Sequence, residues 1–274
     1  MIRVFARKTN YTPTDDMAFY GDPPLFVLDE YKSDYPVAVS VTFTWDKAKG
    51  MALAKSWSQH FRKVQIGGPA FDDPGSYFFS GRFIKKGITF TSRGCPKRCP
   101  WCLVPKREGK LRELLFEPGH IIQDNNLLAC STKHIKKVFL MLARQKKGIE
   151  FRGGLDIDYL EPWHVEMLKK IKIGKTGLCV ACDRPEDLKR LDKAADMLRD
   201  FSIERKRCYV LIGRDGETRA QAQARCEAVL AKGFLPFAQL YRDVNSSQSR
   251  GEWRDLCYFW AKPGLYRKKF GNNK

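Results

Sequence analysis

The sequence predicts an α/β protein: a partial (β/α)6 barrel preceded by a short α/β module. Three observations predict it. Short apolar, strand-like segments recur between residues 87 and 240, and segments of helical periodicity separate most of them. Repeated β-then-α order favours parallel strands joined by right-handed crossovers. Turn signals before residue 85 set apart a smaller N-terminal piece. The expected organisation is therefore a module over residues 1–84, a core over 85–242 and a basic, aromatic C-terminal extension over 243–274.

In the module, residues 37–43 (VAVSVTF) are β-branched and suit a strand. Residues 46–61 carry apolar side chains at near-helical spacing, with Asp46 placed to help the amino end. Val64, Gln65 and Ile66 then run into Gly67, Gly68 and Pro69, a strand ended by a turn. Pro74 and Gly75 mark a further turn, and Ser80 and Gly81 begin the join. In the core, the strand candidates are residues 87–91, 120–123, 150–152, 178–181, 208–212 and 234–240. The helix candidates are residues 133–145, 162–171, 185–201 and 218–232. Ligands in such folds sit at the carboxyl ends of the strands.

A chain of 274 residues with 43% hydrophobic and 12% aromatic residues can bury a sizeable core. Fifty Lys and Arg against 31 Asp and Glu give a net charge of +19. Such an excess concentrates polyanions, which makes nucleic acid the leading partner class and an anionic small substrate the next; a merely solvated basic surface is the plain alternative. Nine cysteines without regular spacing do not form a secreted disulfide scaffold. Met1 to Lys8 lacks the apolar stretch of a signal peptide, and no apolar run reaches membrane-spanning length. A cytoplasmic location without membrane association is expected.

The chemistry centres on residues 89–102, TFTSRGCPKRCPWC. A strand ends, Gly94 permits a sharp turn, and Cys95, Cys99 and Cys102 follow at spacings of four and three. Such a loop can wrap three sulfurs round one face of a cubic iron–sulfur cluster and leave a fourth iron open. A zinc loop is the alternative, with Cys130 or a distant His as fourth ligand.

This segment resembles the CxxxCxxC motif of the radical S-adenosylmethionine (SAM) superfamily, with Trp101 in the aromatic position before the last cysteine. The resemblance spans residues 85–242. It implies a radical SAM barrel, a 4Fe–4S cluster on Cys95, Cys99 and Cys102, and SAM bound through its amino and carboxylate groups to the open iron. A reduced cluster would cleave SAM to a radical that abstracts hydrogen from a substrate, fed by a low-potential donor such as flavodoxin or ferredoxin. By position, Asp124, Asn125 and Asn126 would meet the SAM amino group, although a turn-and-cap role suits them equally. Gly153, Gly154 and Asp156 end the third strand, where Asp156 could hold a ribose hydroxyl or substrate. Gly213 ends the fifth, where relatives let the backbone approach adenine; this copy matches that pattern only in part, and Asp215 with Gly216 also reads as a turn.

Other residues receive plainer readings. Cys179 and Cys182 form a CxxC within a strand, where residues three apart face opposite ways, so buried structural thiols are expected. Asp183 beside them is a plausible pocket residue. His60 and His134 lie on expected helices as surface or packing residues. The module resembles a truncated cobalamin-binding domain, but no Asp-x-His-x-x-Gly segment is present, which argues against cobalamin. Arg93, Lys97, Arg98, Lys106, Arg107, Lys110 and Arg112 surround the cysteines, opposed by Glu108 and Glu113. They could neutralise phosphates or meet an acidic electron donor. Lys262, Arg267, Lys268, Lys269 and Lys274 follow an aromatic stretch whose composition suits either nucleic-acid stacking or a solvated tail.

The whole chain is similar to compact radical SAM proteins encoded by bacteriophages, which would place it in the host cytoplasm. That similarity implies a radical enzyme acting on nucleic acid, DNA before RNA. Its specific form would be isomerisation of a glycyl adduct on the thymidine methyl carbon in phage DNA hypermodification. A radical SAM methyltransferase or methylthiotransferase acting on RNA, and a non-enzymatic metal-stabilised nucleic-acid-binding protein, are the competing readings.

Overall fold

The computed structural model describes residues 1–71, 82–214, 216–241 and 250–270, side chains at 250 and 252 excepted. The turn at Pro74 and Gly75, the join at Ser80 and Gly81, Asp215 and Lys274 lie outside the described residues. The chain is a mixed α/β protein with parallel sheets, and its contacts divide it into two compact units, Met1–Gly119 and His120–Lys274. That division falls after the cysteine loop, so the loop and the N-terminal module share the first unit.

In the first unit, β1 (Ile2–Phe5), β2 (Ala18–Phe19), α1 (Leu25–Glu30), β3 (Val37–Ser40), α2 (Lys47–Ser58) and β4 (Val64–Gly67) come first. The four strands are parallel in the order β2-β1-β3-β4. The chain therefore leaves β1 toward β2 on one side and returns to β3 on the other. β1 is buried along its whole length and β3 buries Val37 and Val39 on one face, the period-two pattern of a half-covered strand. Leu53 and Trp57 of α2 pack on these valines with Phe61; a fully buried side chain of this kind contributes roughly 1.5–3 kcal/mol. Asp46 stands before α2 but makes no cap. Its carboxylate instead takes a two-point ion pair from Arg7, at 2.7 and 2.8 Å, because a charged guanidinium fork binds it more strongly than a backbone N–H does.

The expected strand over residues 87–91 is broken. Only β5 (Ile88–Thr89) forms within it; β6 (Ser92–Arg93) follows it and pairs antiparallel with β7 (Arg112–Glu113) across the short helix α3 (Val104–Arg107).

The second unit alternates β8 (Ile121–Ile122), α4 (Thr132–Ala143), β9 (Glu150–Phe151), α5 (Pro162–Lys169), β10 (Leu178–Ala181), α6 (Asp187–Met197), β11 (Lys206–Ile212), α7 (Arg219–Ala231) and β12 (Leu235–Leu240). Each expected core helix and strand beyond residue 120 is present. β8 pairs parallel with β9, and β10 with β11 and β11 with β12. Phe151 N donates to Gly177 O and Leu155 N to Cys179 O, both at 2.7 Å, which sets β9 beside β10. Neighbours in this unit thus follow chain order from β8 to β12.

The C-terminal stretch needs a correction. It forms α8 (Arg250–Ala261) and α9 (Pro263–Phe270), and Trp253, Trp260 and Tyr266 are core rather than stacking platforms, while Tyr258 is exposed. Trp260 and Tyr266 are fully buried, Trp260 stacks on Phe270 at 5.7 Å, and its indole N–H donates to Gln223 at 2.8 Å. Trp253, Leu256 and Trp260 recur at helical spacing, so burying that face against β12 removes more apolar surface from water than a solvated tail could. Among the described residues no helix is long and apolar enough to cross a membrane.

Candidate metal centre and strand-end site

The cysteine loop is a hairpin closed at its base. β6 and β7 pair at Ser92 with Glu113 and at Arg93 with Arg112. Gly94 follows with φ +80°, and a Cβ there would stand 2.2 Å from Lys110 O, so only glycine lets the two arms meet. Glu108 finishes the closure. It accepts from Gly94 N at 3.3 Å, pairs with Arg93 at 3.2 Å, and offers its carbonyl to Arg112 at 2.7 Å. Arg93 also lies 4.5 Å from the Phe90 ring centre. Two of the seven basic residues expected to greet a polyanion therefore hold the loop shut, while Arg98, Lys106 and Lys110 are exposed.

Cys95, Cys99 and Cys102 are all partly exposed on this loop, and Cys102 N donates to Cys99 O at 3.0 Å, turning the chain at half-buried Trp101. Among the described residues no group of three or more His, Cys, Asp or Glu side chains stands where it could hold a metal ion. The three thiols share a pinned loop rather than a preformed metal site. The donor set nonetheless suits an iron–sulfur cluster, which takes thiolates, and loops of this kind commonly gather their sulfurs only as the metal binds.

The buried cysteines behave differently. Cys179, Cys182, Cys208 and Cys226 are fully buried. Burial pushes the Cys182 thiol up to about 12, with the Asp187 carboxylate adding to it, and burial likewise drives Cys226 to about 12. Cys179 and Cys208 move the same way for the same reason. Such thiols stay protonated and inert, which agrees with a packing role for the CxxC pair.

In the second unit, the carboxyl ends of β8 and β9 meet. Asp124 and Asn126 are buried and Asn125 is half-buried. The Asn126 amide donates to Asp156 at 2.8 Å, and the other Asp156 oxygen accepts from Asp158 N at 3.2 Å. Asp156 thus caps the turn over Ile157–Tyr159 while bracing the loop after β8. A Cβ on Gly153 would fall 1.8 Å from Asp124 O, so backbone approaches backbone there. Gly154 follows with φ +95°. Gly213, at the end of β11, gives its N–H to Glu217 at 2.9 Å. The structure therefore brings Asp124, Asn126, Gly153 and Asp156 together, and ties Gly213 into a different network.

No protein-family model matches this chain, and no curated protein matches it.

That different network was only partly foreseen. Asp183 accepts from Leu211 N at 3.2 Å, and Arg225 reaches from α7 to the Asp183 carbonyl, to Leu211 O at 2.6 Å and to Glu217 at 2.6 Å. Asp187, itself buried, accepts from Asp183 N and Arg184 N at 3.0 Å and pairs with Arg190 at 2.7 Å; Arg190 also pairs with Asp158 at 2.6 Å. One signal could have found Arg225. It occupies the buried stripe Ala222, Arg225, Cys226 and Val229, where a charged residue needs a partner. Two of the histidines serve packing and capping: His134 is buried on α4, and His164 accepts from Glu161 N at 3.0 Å at the start of α5; His60 is exposed in a turn just beyond α2 rather than on a helix.

Proposed function

We propose that this chain is a radical SAM enzyme acting on a nucleic-acid-linked substrate, with a 4Fe–4S cluster held by Cys95, Cys99 and Cys102. The observation that carries the proposal is the loop itself: three partly exposed thiols at CxxxCxxC spacing between the closed ends of a hairpin, in a chain whose buried thiols lie elsewhere. When bound, the cluster would supply the electron that cleaves SAM reductively. Glu108, Arg93 and Gly94 would keep the loop ends fixed while the sulfurs gather. Exposed Arg98, Lys106 and Lys110 would attract a polyanion or the acidic face of a flavodoxin or ferredoxin.

The second unit supports the reading separately. Its parallel strands follow chain order, as in a partial (β/α)6 barrel, and buried Asp124 and Asn126 stand at a carboxyl edge. Carboxylate and amide oxygens there suit an ammonium, and Asp156 suits a hydroxyl. The net charge of +19 favours nucleic acid, and isomerisation of a glycyl adduct on thymidine is the specific reaction proposed.

Anaerobic reconstitution tests the proposal directly. About four irons with matching sulfide per chain are expected, along with 5′-deoxyadenosine on reduction with SAM present. Cys99→Ala should abolish that product while leaving the far-ultraviolet circular dichroism unchanged. Zinc without sulfide would replace the proposal with a metal-stabilised binding protein. Mass spectrometry of DNA nucleosides from cells with and without the protein tests the substrate; unchanged nucleosides would remove the thymidine reaction.

A further inference from the structure

The N-terminal module carries a cavity of about 460 Å³ lined by Phe5, Ala6, Arg7, Lys8, Tyr20 and Lys49, together with Gly21. It opens at the carboxyl end of β1, between neighbours β2 and β3 that the chain reaches in opposite directions. That reversal is where open parallel sheets leave a crevice for ligands. The size lies within the range of small-ligand sites, roughly 300–1,000 Å³.

The lining has two chemistries. Phe5 and Ala6 form a buried apolar floor, and Tyr20, 39% exposed, presents its ring 6.0 Å from that of Phe5. Around it stand three cations. Arg7 is committed in part to Asp46, but neither Lys8 nor Lys49 forms an ion pair among the described residues. Lys8 lies 5.2 Å from the Tyr20 ring centre. Lys49 lies in the first turn of α2, whose amino end adds positive potential of its own. Asp15, near Tyr20, is already held by Arg3. Further along the same sheet edge, after β3, Trp45 is 65% exposed and stacked on Phe43 at 4.8 Å and 9°. Lys49 is also close enough to help hold the Asp46 carboxylate below the usual range, behind the Arg7 pair that does most of it. An aromatic floor edged by two lysines outside any ion pair and by the paired Arg7 suits one ligand chemistry, a planar base joined to a phosphate.

We propose that this cavity binds a nucleoside monophosphate unit, with the base against Tyr20 and the phosphate between Lys8 and Lys49. The unit is either a free nucleotide or one residue of a single strand whose next base meets Trp45. The inference does not depend on the cluster.

Calorimetry on the full chain at low salt tests it with thymidine 5′-monophosphate, thymidine, inorganic phosphate and a short single-stranded oligothymidylate. Thymidine is chosen because it lacks adenine, so an adenosine site elsewhere is not read by mistake. The monophosphate should bind at least about tenfold more tightly than thymidine or phosphate. The exposed pair Lys8→Ala with Lys49→Ala should weaken it about tenfold without moving the thermal midpoint, and Tyr20→Leu should weaken it by a similar factor. A strand bound at least about tenfold more tightly than the monophosphate, with that excess lost in Trp45→Ala, identifies nucleic acid as the source; equal affinities identify a free nucleotide. The proposal is overturned if neither ligand binds better than phosphate, or if the lysine pair leaves both affinities unchanged.

Discussion

The side-chain amide of Asn126 donates to the Asp156 carboxylate at 2.8 Å, fastening the loop after β8 to the loop after β9. Both groups were singled out in the sequence as possible ligand contacts, and the structure uses each on the other. Asn126→Ala removes one hydrogen bond at a buried position and should lower stability by about 1–2 kcal/mol, read as a lower urea midpoint. Asp156→Ala should cost at least as much, since it also removes the acceptor of Asp158 N.

Gly94→Ala tests the hairpin closure without touching a thiol. The added methyl would collide with Lys110 O, and φ +80° disfavours any L side chain. Iron bound on reconstitution should fall to less than about half of the wild-type value, while β8 to β12 retain their hydrogen-exchange protection. Wild-type iron loading in this variant would mean that closure does not matter to the metal.

Glu108→Ala should loosen the same loop from the inside, since one carboxylate serves both Gly94 N and Arg93. The expected outcome is faster tryptic cleavage at Arg98, Lys106 or Lys110, which limited proteolysis followed by mass spectrometry would locate. An unchanged cleavage pattern would assign the closure to strand pairing alone.

Arg225 and Glu217 form an ion pair with side chains 4% and 14% exposed. Arg225→Ala leaves Glu217 without that partner and should cost about 3–5 kcal/mol. Adding Glu217→Leu should recover part of the loss, because the stranded charge is then gone. Denaturant midpoints of the single and double variants give the comparison.

Alkaline stability follows from the buried thiols. An unfolded cysteine ionises near pH 9, whereas burial holds Cys182 and Cys226 at about 12. Below about pH 9 both states keep the proton, so the stabilisation is fully present. Between about 9 and 12 only the unfolded chain releases it, and stability falls by about 1.4 kcal/mol per pH unit for each thiol. Urea midpoints at pH 8 to 11 should therefore drop more steeply in the wild type than in Cys182→Ala with Cys226→Ala. Parallel slopes would show that other groups govern the decline.

Much of the second unit was readable because its signals are local. The run LCVA at Leu178–Ala181 matches β10 end for end, and Thr218 with Gln221 marks the start of α7 through a capping box. The loop spacing of Cys95, Cys99 and Cys102 was equally plain. The burial of the C-terminal helices was harder to read, because basic residues among aromatics suggest a surface, although Trp253, Leu256 and Trp260 stand at helical spacing. The separate strand β6 just after residues 87–91 could not be read, since it depends on pairing with β7 some twenty residues onward.

By itself the sequence determined the β-then-α order, the excess of positive charge and the spacing of three thiols, because these are properties of neighbours along the chain. Only tertiary structure decided that Gly153 must admit the Asp124 backbone, that Arg225 crosses to β11, and that Lys8, Tyr20 and Lys49 line one cavity. Those relations join residues far apart in sequence, and the free energy that holds them comes from packing and buried hydrogen bonds that exist only once the strands are paired.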